Sequence, residues 1–225
     1  MTTTCTTAEL AKSNHTRRQF IRRTGSAALM VAAAGLCSRS RAASSDDTPE
    51  KGVVGSNIYG WTQYAQRDQK KLEVEEVIAA LRDAGYDYLE TFMNVTQPEE
   101  NGRFADQLKA KGLQPVSLYV GARLHETGKA DEVVAKLLAA AKVCRQAGFR
   151  VISCNADPIG REKTEEELKT QAAAFAALGR GLKAMGMSLG LHHHMPEMVN
   201  GAREFHHGFR NTEPDEVGFC YDVHW

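Results

Sequence analysis

The sequence predicts an α/β domain built on a parallel sheet, and three observations carry that prediction. From about residue 52 onward, short β-type runs alternate with amphipathic helical stretches. Four of the helices close on a glycine able to take the left-handed C-cap conformation, in Asp83-Ala84-Gly85-Tyr86, Ala110-Lys111-Gly112-Leu113, Gln146-Ala147-Gly148-Phe149 and Ala184-Met185-Gly186-Met187. These joints lie 27, 36 and 38 residues apart, the length of one strand plus one helix. With 42% hydrophobic residues in 225, the chain can bury a real core, which excludes wholly disordered, collagen-like and coiled-coil classes.

The first element read is a leader over residues 1–43. Thr16-Arg17-Arg18-Gln19-Phe20-Ile21-Arg22 precedes a small-residue apolar run over 25–36 and then Ser38-Arg39-Ser40-Arg41-Ala42-Ala43. Paired arginines followed by an aromatic and an aliphatic residue resemble the twin-arginine export signal. The apolar run of 12 residues falls short of the roughly 20 needed to span a bilayer, so cleavage near Ala42 or Ala43 is expected rather than a retained anchor. Leu36 stands where lipidation at Cys37 would require a small residue.

The predicted destination is therefore the periplasm or another extracytoplasmic space, with no membrane contact after the leader is removed. The export route carries folded proteins and suits one that takes up a metal or cofactor first.

The charge balance changes with the leader. The whole chain has 28 basic and 28 acidic residues, whereas residues 44–225 keep 21 basic against 27 acidic, a net charge of −6. An acidic domain argues against nucleic acid as a partner. The cysteines remaining are Cys144, Cys154 and Cys220, an odd number without a C-x-x-C pair, so no disulfide framework is expected.

Residues 44–51 are polar and read as a linker. Strands are expected at 53–59, 86–93, 115–120, 150–155, 188–194 and 218–224. Between them Val74, Val77, Ile78 and Leu81 form one helical stripe, and Val134, Leu137, Leu138, Ala141 and Cys144 another. Thr164 and Glu167 make a capping box ahead of a helix running to about Met185.

A doubly wound sheet and a (β/α)8 barrel both fit this alternation. The absence of a G-x-G-x-x-G or phosphate loop after the first strand weakens the former. Polar and aromatic residues gather instead at the predicted ends of several strands, as in a barrel: Tyr59 and Trp61, Glu90, Asn155, His192 and His194, Asp222 and His224. The expected fold is a (β/α)8 barrel of which about six βα units are present, residues 52–225 forming a domain incomplete at its C-terminus.

Side chains alternate along a strand, so His192 and His194 are expected on one face, His193 on the other, and Asp222 with His224 on a shared face of the next strand. Two imidazoles and a carboxylate meeting at one mouth make a ligand set for one divalent metal such as Mn, Zn, Co or Fe. Glu90, beside Phe92 and Met93, is a candidate base or sugar-hydroxyl ligand. Trp61 and Tyr59 are candidate stacking residues, Glu197 and Asn155 candidate substrate contacts, and His125 lies within reach of the mouth. His206 and His207 read as a solvated helix face, and Cys220 as barrel filling.

Leu189-Gly190-Leu191-His192-His193-His194-Met195-Pro196-Glu197, followed by Phe219-Cys220-Tyr221-Asp222-Val223-His224-Trp225 and preceded by Tyr88-Leu89-Glu90, resembles the xylose isomerase-like TIM-barrel family. That family includes sugar and sugar-phosphate isomerases and epimerases and inosose dehydratase; the His-x-His-Met run is nearest the last. The resemblance covers about 52–225. It implies one divalent metal (Mn, Zn, Co, Fe or Mg) held by the fifth-strand position among His192 and His194 and the sixth-strand position at Asp222. Glu90 and His224 would be catalytic, and Trp61, Asn155 and Glu197 would bind a small carbohydrate.

The expected activity is an exported metal-dependent sugar or sugar-phosphate isomerase or epimerase working by α-proton abstraction, in a possible homo-oligomer. The alternatives are an inosose dehydratase-type lyase, a truncated non-catalytic fragment or weak sugar-binding module, and, least favoured by charge, phosphodiester hydrolysis.

Overall fold

The computed structural model describes residues 52–224; the expected leader and linker lie outside the described residues. The elements in chain order are β1 (Gly55–Asn57), α1 (Ile58–Arg67), α2 (Val74–Asp83), β2 (Tyr88–Phe92), α3 (Glu99–Ala110) and β3 (Ser117–Ala122). They continue with α4 (Ala130–Ala147), β4 (Val151–Ala156), α5 (Glu165–Ala184), β5 (Ser188–Leu191), α6 (Met195–Arg210) and β6 (Val217–Phe219). All neighbouring strands pair parallel, in the sequential order β1-β2-β3-β4-β5-β6. A doubly wound sheet reverses its strand order at a switch point, so sequential order decides for the barrel type, six strands of which are described.

The punctuation read from sequence is present. Gly85, Gly112, Gly148 and Gly186 all have positive φ, the backbone that lets the chain leave a helix without a Cβ penalty. Thr164 Oγ accepts from Glu167 N at 3.2 Å, and the Glu167 carboxylate accepts from Thr164 N at 2.7 Å, closing the capping box that starts α5.

Three predicted strand boundaries are corrected. Asn57 caps a helix, its Oδ1 accepting from Tyr59 N at 2.7 Å, so the first strand ends there and Tyr59 and Trp61 belong to α1. The fifth strand stops at Leu191 because His194 and Pro196 begin α6. The sixth stops at Phe219, and His224 N turns back to Asp222 Oδ1 at 2.9 Å. A strand's alternation therefore does not relate Asp222 to His224, and their expected shared face is withdrawn.

Alternation along the central strands sorts the core. Leu118, Val120 and Ala122 on β3, Ile152, Cys154 and Ala156 on β4, and Leu189 and Leu191 on β5 are buried in the larger core with α4 and α5. A smaller core gathers Leu89 of β2 with Ile58, Val77, Ile78, Leu81, Leu108 and Leu113. Fully burying a side chain of this size contributes about 1.5–3 kcal/mol relative to leaving it in water. The opposite strand face carries Glu90, Ser117, Tyr119, Ser153 and Asn155, and becomes the inside of the curved sheet.

Close approach of α5 to the chain before β6 depends on Gly179, where an added Cβ would lie 2.4 Å from the Glu216 carbonyl oxygen. Gly179→Ala therefore destabilises by about 1–3 kcal/mol, read as a lower urea midpoint at unchanged slope. Gly102→Ala on α3, with nothing within 4 Å of the new methyl, is the control and is neutral or stabilising. Equal midpoints for the two variants would refute this account of the α5 contact.

Candidate active site at the strand ends

Glu90, partly buried on the inner face, stands in the middle of β2 and not at its end. Its partner in register is Asn57, whose Nδ2 donates to Glu90 Oε1 at 2.6 Å, and the Ser117 hydroxyl donates to Oε2. Both carboxylate oxygens thus have donors, which holds the side chain in one orientation.

Above it lies Tyr119 of β3, whose hydroxyl donates to Asn155 Oδ1 on β4. Burial pushes the Tyr119 phenol up to about 12. Its ring meets His192 edge to face with centroids 5.6 Å apart, and Phe92 likewise at 5.6 Å. Tyr119 escaped the sequence reading because it sits in an apolar-looking run. Its two-residue spacing from Ser117 and Gly121 was the available signal.

The β5 ladder continues past its last residue, with His192 N donating to Cys154 O at 2.8 Å. This keeps the strand's alternation through the histidines. His192 Nε2 lies 3.2 Å from His194 Nε2, while His193 is buried on the other side against Phe205 and Phe219. The predicted division of the three histidines is thus observed.

From β6 the ladder also runs on, Cys220 N donating to Leu191 O at 3.1 Å. That places Cys220 Sγ 3.8 Å from His192 Nδ1, with the Ser153 hydroxyl donating to the sulfur at 3.5 Å. Asp222 Oδ2 stands 3.8 Å from His192 Nε2. Burial, then the neighbouring His194, push the His192 imidazole below its ordinary value, so it is neutral at pH 7; Asp222 opposes this more weakly.

Glu197, on the first turn of α6, is buried and accepts from His194 N at 3.0 Å. Burial pushes its carboxyl up. His224 is on the exposed turn after Asp222.

The remaining candidates lie elsewhere. Trp61 donates from Nε1 to Ser56 Oγ at 3.1 Å and packs on the smaller core, so its indole is tied to β1. Tyr59 is exposed. His125 is buried behind β3, His206 is exposed, and His207 Nε2 is 3.4 Å from Glu165 Oε1.

The histidine pair fits a metal edge. Two nitrogens bound at about 2.0–2.1 Å on adjacent vertices stand about 2.9–3.4 Å apart, a range that contains the observed 3.2 Å. Asp222 lies just outside it. Among the described residues no group of three or more His, Cys, Asp or Glu side chains is arranged to hold a metal ion. The three predicted ligands therefore come together as a pair with a neighbour.

No protein-family model and no curated protein matches the sequence. Solved structures do match. A sugar phosphate isomerase/epimerase from Parabacteroides distasonis ATCC 8503 superposes with a TM-score of 0.62 at 19% identity, over 80% of this chain and 68% of that one. D-allulose 3-epimerase from Methylomonas sp., in complex with D-allulose, gives 0.54 at 17% over 76% and 62%. A xylose isomerase-like TIM barrel protein from Mycobacterium smegmatis, in complex with magnesium, gives 0.53 at 12% over 76% and 64%.

The fold is that of the xylose isomerase-like TIM barrels. Those proteins differ in chemistry, since an AP endonuclease and a 3-DHS dehydratase share the fold, so the site and not the architecture must carry a functional reading.

The depressed His192 value predicts a pH dependence. The unfolded chain takes up a proton near the ordinary histidine value of about 6.5 while the folded imidazole resists it, so stability is full above that pH and falls on acidification below it. The loss levels off once the folded imidazole is protonated too. Urea midpoints measured between about pH 5 and 8 should show this slope, and His192→Gln should flatten it. An unchanged slope in the variant would assign the effect to other groups.

Proposed function

We propose that the protein is an exported, divalent-metal-dependent sugar isomerase or epimerase acting through α-proton abstraction. The observation that carries the reading is the convergence of His192, His194 and Asp222 at the C-terminal end of a parallel barrel sheet, with buried Glu197 behind them. Active sites of this architecture lie at that end. The similarity to isomerases and epimerases supports the reaction class, and the twin-arginine pattern at Arg17-Arg18 supports export.

His192 and His194 would hold the ion, with Asp222 completing the set after a small shift. A bound divalent ion supplies Lewis acidity toward a carbonyl and its neighbouring hydroxyl. The other groups position substrate and move protons. Glu90, fixed by Asn57 and Ser117, presents a carboxylate to the inside of the barrel. The Glu197 carboxyl, raised by burial, is closer to neutral titration than a solvated glutamate, which suits a group that takes or returns a proton. Asn155 shares the inner face with Tyr119 and would accept or donate to a sugar hydroxyl, and His224 stands at the rim as a proton-transfer or substrate residue. Trp61, bound to Ser56, would shape the wall and not stack on substrate.

A second reading, a sugar-binding module without turnover, draws on the observation that only two of the three donors stand at ligand spacing. A dehydratase would share the first step and differ in product.

The test incubates the full chain with Mn2+ and free ketohexoses in D2O and reads deuterium at the carbon beside the carbonyl. Exchange should occur, cease with chelator, and fall by about 10²–10⁴ in Glu197→Gln. His192→Ala with His194→Ala should abolish tight metal binding, measured as bound ion per chain. Exchange that persists unchanged in the double variant would overturn the reading.

A further inference from the structure

Beside the histidines, a cleft of about 340 Å3 opens between the β4–α5 loop and the start of α6. One wall begins with Pro158 and Ile159, just past the end of β4, and the other with Met195 and Pro196, directly after His194. Both walls start where strands end, so the cleft lies at the same end of the sheet as the histidine pair. We propose that it is a subsite for a neutral, polyhydroxylated group, the second sugar of a glycoside whose first sugar occupies the histidine mouth. The proposal rests on the functional reading above and narrows its substrate class.

Size and lining fit one sugar ring, since the volume is at the small end of the roughly 300–1,000 Å3 of small-molecule sites. Pro158, Ile159, Met195, Pro196 and Val199 offer the apolar surface on which the C–H face of a pyranose can lie. Charged and amide groups surround that floor, and their pairing decides what they can bind.

Each of the three cations lining the cleft already has a carboxylate. Lys163, with its side chain 2% exposed, is 2.6 Å from Glu204 Oε1, which also accepts from Gln171 Nε2 at 3.0 Å. Arg161 makes two bonds of 2.7 Å to Glu167, whose carboxyl is held down to about 2 by that guanidinium and by Thr164 N. Arg203 donates to Lys163 O at 2.8 Å and pairs with Glu165 at 3.3 Å. Glu162 accepts from Asn200 across the cleft.

Three cations and two carboxylates, Glu162 and Glu204, line the cleft, and Glu165 and Glu167 pair with its arginines from outside the lining. A phosphoryl dianion entering here would find each cation already engaged by a carboxylate and would have to break the buried Lys163–Glu204 pair to gain that ammonium. A hydroxyl both donates and accepts, so it can use the unfilled lone pairs and N–H groups of these pairs without breaking any.

The far wall is held in place by strained backbone. Asn200, Gly201 and Ala202 have φ of 54°, 69° and 55°, a left-handed run that interrupts α6 and turns Val199 and Asn200 toward the cleft. Such backbone costs of order 1–3 kcal/mol at each of the non-glycine residues Asn200 and Ala202 and persists where surrounding contacts impose it. Here the Asn200–Glu162 bond ties the run to the opposite wall.

The experiment titrates the full Mn2+-loaded chain with glucose, glucose 6-phosphate, cellobiose and maltose, by calorimetry and by the methyl resonances of Met195. At least one disaccharide should bind about tenfold more tightly than glucose and shift Met195, and glucose 6-phosphate should gain nothing over glucose. Val199→Trp and, separately, Ile159→Trp should remove the disaccharide's advantage while leaving glucose affinity unchanged; circular dichroism verifies that each folds. Glucose 6-phosphate binding best of the four would overturn the proposal, as would failure of both disaccharides to exceed glucose or to move Met195. Cleft-dependent disaccharide binding with no α-proton exchange would keep the subsite and remove the isomerase reading. Exchange on free ketohexoses without any disaccharide advantage would do the reverse.

Discussion

The pleat of a parallel strand sends successive side chains to opposite faces, and six strands in sequential register turn that local fact into an inside and an outside. On β3, β4 and β5 the outward set is Leu118, Val120, Ile152, Cys154, Leu189 and Leu191, all buried under helices. The inward set on β3 and β4 includes Ser117, Tyr119, Ser153 and Asn155. A slip of one residue at any pair would exchange these sets, burying polar groups under helices and exposing the core. Register is therefore strongly specified, and every feature of the site inherits it.

An inward polar face is stable only if its members satisfy one another. Ser117 bonds Glu90, Tyr119 bonds Asn155, and Ser153 bonds the Cys220 sulfur. The third link reaches the histidines, because the same sulfur faces His192 Nδ1 and leaves Nε2 turned toward His194 and Asp222. Partners on the remote nitrogen set which tautomer an imidazole adopts and where its lone pair points. The packing of the barrel interior and the preparation of the candidate ligands are thus one network.

A second network, of charges, organises the loops around the mouth. Lys163, Glu204 and Gln171 join the β4–α5 loop, α5 and α6 out of water, where breaking either ion-pair partner leaves a buried charge. Arg161 with Glu167, and Arg203 with Glu165, extend it to the surface. Exposed pairs of this kind contribute little individually. Their effect here is on field and shape, since they spend the positive charge of the cleft on the protein's own carboxylates and hold α6 against the loop.

How much of this was legible differs from residue to residue, for a physical reason. Periodicity, C-cap glycines and the Thr164/Glu167 box are local, set within one turn or one strand, and they identified the alternating architecture, the core stripes and the start of α5. Alternation also separated His192 and His194 from His193, because the β5 ladder continues by one backbone bond past its last residue. The same rule failed at Asp222 and His224, where the chain leaves the sheet for a turn, and at Trp61, where Asn57 ends the strand by capping a helix. Tyr119 and the pairing of Lys163 and Arg203 in the cleft depend on contacts between residues more than 30 apart in sequence, such as Tyr119 with Asn155 and Lys163 with Glu204. The sequence by itself determined which faces are apolar and which polar, since those follow from spacing along one element. Only the tertiary structure decided which polar groups meet, at what distance and with what charge left over, since those are properties of neighbouring strands and loops brought together by folding.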